Sequence, residues 1–141
     1  MGVSVPYLPW YPQGVSKSCR VMIVEDVDTM RDLLKQTVEA LPGFRVVGTA
    51  SNTVEARRAL SRNRPELLLL DEVLPGESSL DLLAEVVGLG ITVVLVTGSE
   101  NPGPGVPPGA KIRLRKPGWK KLPEDFQRFQ AELLAVWNSV G

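Results

Sequence analysis

Four consecutive leucines, Leu67 to Leu70, run straight into Asp71. Alternate side chains of a strand point to opposite faces, so a run with no polar face is a strand covered on both sides. Strands of that kind belong to sheets flanked by helices on both faces. A carboxylate at the carboxyl end of such a strand sits where open α/β sheets place their chemistry. Leu74-Pro75-Gly76 then turns the chain, and Ser78 and Ser79 offer a cap for a following helix.

The rest of the chain repeats the pattern. Cys19 to Val24 reads as a buried strand ended by the acids Glu25, Asp26 and Asp28, with Asp28 placed to cap a helix. Met30, Leu33, Leu34, Val38 and Leu41 recur at helical spacing until Pro42-Gly43 stops them. Phe44 to Ala50 is a second strand, and Asn52 with Glu55 opens a helix that reaches about Asn63. After the leucine strand (66–71), a helix from Leu80 to about Val87 carries an expected stripe of Leu80, Leu83 and Val87. Ile91 to Thr97 is a fourth buried strand and Ile112 to Arg115 a short fifth, ending at Lys116-Pro117. A last helix begins near Pro123 with a stripe of Phe126, Phe129, Leu133, Val136 and Trp137.

Strands and helices alternating through short links make a doubly wound parallel sheet with right-handed crossovers. One helix is missing from the alternation. Between Thr97 and Lys111 the chain is GSENPGPGVPPGA, and Pro102, Pro104, Pro107 and Pro108 with their glycines forbid a stable helix. A loop is expected there. Residues 1–18, rich in proline and aromatics, read as an N-terminal extension ahead of a domain spanning 19–141.

Composition narrows the chemistry. The 141 residues make one domain, with zero net charge and no basic surplus for nucleic acid. No apolar run is long enough for a bilayer and no secretory signal is legible. The single cysteine, Cys19, rules out an internal disulfide and fits a reducing compartment, so a cytoplasmic setting is expected. Without histidine, serine–histidine and cysteine–histidine catalysis and histidine-ligated zinc are excluded. A metal would need oxygen ligands, which favours Mg²⁺, Mn²⁺ or Ca²⁺.

In a parallel sheet the ends at Glu25-Asp26, Asp71, Thr97 and Lys116 share one edge. An acidic pair after strand one, D-x-x-L-P-G after strand three, a hydroxyl after strand four and Lys-Pro after strand five together resemble the receiver domain of two-component response regulators. The likeness runs from about Arg20 to Trp137. It implies a flavodoxin-like five-stranded parallel sheet of order 2-1-3-4-5, with helix four replaced by the Pro/Gly loop. It also implies that Asp71 takes a phosphoryl group from a sensor histidine kinase or phosphotransfer protein. Glu25, Asp26, Asp71 and the backbone carbonyl of Val73 would hold Mg²⁺ or Mn²⁺. Lys116 and Thr97 would contact phosphoryl oxygens. Gly98 would leave room for the group, and Val73 and Ser99 would tune its lifetime. Signalling would pass through altered contacts with an output protein. Beyond accepting and losing the phosphoryl group, the chain is not expected to be an enzyme, nor to touch nucleic acid or membrane.

Two departures stand beside this resemblance. The fourth helix is lost, and Arg113 replaces the aromatic usual on strand five, where a solvated edge residue is the plainer reading. Losing the helix should uncover apolar sheet beside Val93, Leu95 and Ile112. The N-terminal arm, through Tyr7, Leu8, Trp10 and Tyr11, or a second copy in a homodimer would then cover it. Each acid also has a plainer reading as a helix cap, and Lys116 as a surface charge. Two rival functions follow: a phosphorylation-independent pseudo-receiver adaptor, and a haloacid-dehalogenase-like phosphatase with Asp26 as nucleophile.

Overall fold

The computed structural model describes residues 18–74, 78–100, 103, 105–118 and 123–140. The expected 1–18 arm, apart from Ser18, and the Pro75-Gly76 turn lie outside these residues. In chain order the elements are β1 (Cys19–Val24), α1 (Asp28–Glu39), β2 (Phe44–Ala50), α2 (Thr53–Arg62), β3 (Leu67–Asp71), α3 (Ser79–Val87), β4 (Thr92–Thr97), β5 (Ala110–Arg115) and α4 (Pro123–Ser139). All five strands are parallel, in the order β2-β1-β3-β4-β5. No helix is present among the described residues between β4 and β5.

The strand alternation sorts the core. Leu67 and Leu69 join Val21, Ile23, Val94 and Val96 under α1 and α4. Leu68 and Leu70 join Met22, Val24, Val93 and Leu95 under α2 and α3. All four leucines have no solvent exposure, and burying each contributes roughly 1.5–3 kcal/mol. Gln130 on α4 donates to the Thr37 carbonyl of α1 at 2.9 Å, and Trp137 donates to the Ser18 carbonyl at 3.1 Å. These bonds lock α4 across the opening of β1.

Local chemistry sets two of the helix starts. Asn52 accepts the Glu55 N–H at 2.8 Å, while the Glu55 carboxylate accepts the Ser51 N–H at 2.8 Å. Ser78 caps α3 by accepting the Leu80 N–H at 3.1 Å. The Ser79 hydroxyl turns inward and donates to the Asp71 carbonyl at 2.8 Å, tying α3 to the end of β3. Asp28 does not cap α1 as expected: it is the first helical residue, and its carboxylate pairs with Arg31 at 2.5 Å.

Two packing expectations are corrected. The buried face of α3 is Ser79, Leu82, Leu83 and Val86, while Leu80 (53% exposed) and Val87 (41%) point outward. Both faces of α3 are apolar in sequence, so periodicity alone did not choose between them. Val93 and Leu95 are each only 1% exposed, and Ile112 is partly buried against the α1/α4 core. The apolar surface expected beside Val93 and Leu95 is therefore not exposed. Leu83 and Val86 of α3, with Leu74 and Ala110, close over it. The loop also folds down onto α3. Gly109 has φ +98°, and a Cβ there would lie 2.5 Å from the Val87 side chain, so only glycine fits that approach.

Candidate functional site

Strand register brings the chemistry to one edge. Val24 pairs with Leu70, so Glu25 and Asp71 leave neighbouring strands side by side. The Glu25 N–H donates to Ala50 at 2.9 Å and the Glu72 N–H to Val96 at 3.0 Å, so both acids emerge from backbone still held in the ladder. Thr97 pairs with Arg115, and the Lys116 N–H donates to the Thr97 carbonyl at 2.8 Å.

Carboxylate oxygens of Glu25, Asp26 and Asp71 all lie within 4.8 Å of one another. Glu25 is fully buried, Asp71 is 4% exposed and Asp26 is half-buried. Nζ of Lys116 is 2.5 Å from Glu25 Oε1 and 3.2 Å from Asp71 Oδ2. Backbone takes the remaining oxygens: Val27 N–H donates to Glu25 Oε2 and Val73 N–H to Asp71 Oδ1, each at 3.1 Å. Thr97 is half-buried at the mouth, its hydroxyl oxygen accepting the Ser99 N–H at 3.2 Å. Gly98 is exposed with nothing within 4 Å of where a Cβ would stand. A cavity of about 850 Å³ opens beside Lys116, lined by Val27, Met30, Gly98, Arg115, Pro117 and Arg128 among others.

The electrostatics follow from crowding. Burial first, then the neighbouring Glu25, push the Asp71 carboxyl up to about 7. Burial also pushes Glu25 up, but Lys116, Asp71 and the Val27 N–H together outweigh it and hold Glu25 below its ordinary value. Burial works against the Lys116 charge, yet the two acids hold its pKa above the usual lysine value. At about pH 7 Asp71 is therefore shared between its protonated and ionised forms.

Three carboxylates face one ammonium, and Glu25 Oε1 accepts no hydrogen bond of good geometry despite the nearby lysine. A largely buried, all-oxygen donor set with three acids to one ammonium suits a hard divalent cation. The arrangement also separates the two candidate nucleophiles. Lys116 pairs with Asp71 and Glu25, and no ion pair joins it to Asp26 among the described residues.

Several contacts at this edge were not foreseen. Arg128 on α4 donates to the carbonyls of Arg115 at 3.2 Å and Lys116 at 3.3 Å, and pairs with Asp125 at 2.9 Å. Asp125 in turn accepts the Gly118 N–H. The backbone of Lys116 is thereby gripped from both sides, by Thr97 and by α4. In sequence, Asp125, Arg128 and Glu132 look only like surface pairs along one helix. Arg113 is not the solvated edge residue expected: its side chain is 16% exposed and bonded to Glu72 and to the loop.

The model of the family described as response regulator receiver domain matches residues 21–107. A protein named protein-glutamate methylesterase/protein-glutamine glutaminase 1 from Rhizobium johnstonii is 36% identical over 75 residues, 53% of this chain and 22% of that protein. The response regulator domain of Thermotoga maritima CheB superposes with a TM-score of 0.71 at 23% identity, covering 89% of this chain and 99% of the other. A chain from the complex of the CheA3 P1 domain with CheY6 of R. sphaeroides gives 0.70 at 23% identity, covering 87% and 96%. This chain spans about a fifth of the length of the curated relatives it matches. Those relatives bear enzyme names, which corrects the expectation that the chain is not an enzyme beyond accepting and losing a phosphoryl group, although the match covers only about a fifth of each relative.

Proposed function

The chain belongs to the response regulator receiver domain family, and from that premise we propose that residues 19–141 form a receiver whose phosphoacceptor is Asp71. The observation that carries this reading is the convergence of Lys116 with Glu25 and Asp71, 3.2 Å from the Asp71 oxygen. A carboxylate oxygen of Asp71 attacks the phosphorus of a phosphohistidine on a sensor kinase or phosphotransfer protein. The new P–O bond forms as the P–N bond breaks, and the electron pair leaves with the imidazole, which takes up a proton. Partner docking of the kind named in the CheA3 P1–CheY6 structure supports a protein donor.

The residues act by position and charge. Lys116 stabilises phosphoryl oxygens with a charge already held at the edge by Thr97 and Arg128. Thr97 offers a hydroxyl donor, and the open space at Gly98 admits the group. Val73 and Ser99, exposed on either side, set how readily water reaches it. Glu25, Asp26 and Asp71, with the Val73 carbonyl, are the ligands proposed for Mg²⁺ or Mn²⁺. When bound, the ion would supply positive charge beyond the single ammonium of Lys116 at this triple-acid edge.

No helix among the described residues is long and apolar enough to cross a membrane. The single cysteine, Cys19, buried at the start of β1, fits the reducing cytoplasm as the working compartment. The test is incubation with acetyl phosphate and Mg²⁺, read by intact mass. A phosphoryl adduct on the native chain that is absent from Asp71→Asn is the expected result. A native chain that stays unmodified by acetyl phosphate and by phosphohistidine donors sinks the reading in favour of a phosphorylation-independent adaptor.

A further inference from the structure

The sheet edge opposite the acids carries a group of arginines. Arg20 and Arg45 are the second residues of β1 and β2 and stand directly opposite each other in the register. Neighbouring strands lie about 4.8 Å apart, so the two like charges repel. Both alternate to the α2 side, since Met22, two residues after Arg20, lies in the core under α2 and α3. The end of α2 descends onto the same rim. A Cβ on Gly48, three residues after Arg45, would lie 3.9 Å from that of Ala59, and the helix stops at Arg62. Arg64 follows in the link to β3, where the Glu66 N–H donates to the Arg20 carbonyl at 2.9 Å. Arg58 and Arg62, one turn apart on α2, are a second pair of like charges. Arg20, Arg45, Arg58, Arg62 and Arg64 are all exposed. Arg20 has a partner in Glu66 at 3.8 Å, and Arg62 suits the carboxyl end of its helix. Among the described residues no ion pair holds Arg45 or Arg64. Glu39, the acid at the end of α1, belongs to a helix on the opposite face of the sheet.

We propose that this rim docks an acidic segment of a partner protein, a run of Asp and Glu carboxylates held by Arg20, Arg45, Arg62 and Arg64. The surface goes beyond the phosphoacceptor reading and does not depend on it. Like charges set against one another twice destabilise the free chain, and an anion seated between them offsets that repulsion. Arginine forks match carboxylates two bonds at a time. The chain as a whole has no net charge, so it lacks the long-range pull on which binding to a nucleic-acid backbone rests. A long polyanion would also run on toward the acids at the far edge, whereas a short acidic segment needs only the rim. The full length of β3 separates the rim from Asp71, so the occupant leaves the phosphoryl site open to its donor.

Fluorescence anisotropy of a labelled oligoglutamate peptide, titrated with the full chain, tests the surface. The Arg45→Gln/Arg64→Gln double variant should weaken binding roughly tenfold. Lys35→Glu, on the exposed side of α1, makes the same change in net charge and should leave the affinity within about twofold of native. Arg45→Gln, which relieves the repulsion with Arg20, should melt no lower than the native chain, so lost binding is not lost fold. No binding by the native chain, native affinity in the double variant, equal weakening by Lys35→Glu, or a lower melting temperature in Arg45→Gln would each overturn the proposal. Tighter binding of an oligothymidylate strand than of oligoglutamate would give the rim to nucleic acid and overturn it. Self-association of the native chain that the double variant loses would give the rim to a second copy, and would overturn it as well.

Discussion

The ammonium of Lys116 lies 2.5 Å from Oε1 of Glu25, an acid with no solvent exposure. This is closer than its 3.2 Å approach to Asp71, so without a bound cation the lysine is first a counter-ion for Glu25. Replacing it with methionine strands a buried carboxylate. Lys116→Met should destabilise the metal-free chain by about 3 kcal/mol, read as a lower urea midpoint. It should also slow phosphoryl acceptance. A midpoint equal to the native one would show that Glu25 is balanced by something else.

Stability should fall as pH rises. The Asp71 carboxyl sits near 7 when folded, against an ordinary 3.8. Between those values the folded chain binds more protons than the unfolded chain. The contribution is therefore fully present below about pH 4 and lost as pH passes 7. Glu25 acts in the opposite sense below its ordinary value, losing stability as the medium turns acid. Asp71→Asn should match the native chain near pH 4 and exceed it above pH 7 by on the order of 4 kcal/mol in chelator. Parallel curves for the two proteins would refute the raised value.

Divalent cation should reverse that loss. At a Mg²⁺ concentration a hundredfold over its dissociation constant, native stability should rise by about 2.7 kcal/mol. Asp26→Asn, which removes one of the three clustered carboxylates, should weaken the ion at least tenfold while leaving the metal-free melting temperature within a few degrees. Equal Mg²⁺ stabilisation of native and Asp26→Asn proteins would place the ion elsewhere.

In the proposed reaction Arg128 should act through Lys116, to whose carbonyl it donates at 3.3 Å. Arg128→Met should slow adduct formation roughly tenfold without changing Mg²⁺ affinity. In a Lys116→Met background the same change should have little further effect. Additive losses would mean that Arg128 contributes only general stability.

The two faces of α3 should respond differently. Leu83, 2% exposed, packs on the sheet, and Leu83→Ala should cost roughly 2–5 kcal/mol. Leu80, 53% exposed, should tolerate alanine within about 0.5 kcal/mol. Equal costs would mean that α3 turns its other face inward.

The site edge was legible because its logic is short-range. Leu67 to Asp71 announces a buried strand with an acid at its end, and the other strands end in the same way. Once they run parallel, Glu25, Asp71, Thr97 and Lys116 can only share an edge. The Asn52–Glu55 cap was equally readable, since its partners are three residues apart. Asp28 and α3 were misread where one local pattern allowed two outcomes. Asp28 could cap α1 or enter its first turn, and α3 is apolar on both sides.

From its residues alone, this chain settles which segments pair, which side chains alternate to which face, and which acids end the strands. Periodicity and hydrogen-bond satisfaction act within a few residues, and parallel pairing carries their consequences across the sheet. The folded structure alone decides who partners whom through space. Arg113 finds Glu72 41 residues away, Arg128 grips the backbone of Lys116, and α3 with a glycine-rich loop fills the place of a helix. Those contacts depend on distances between remote segments, and the sum of all the packing, not any local stretch, sets such distances.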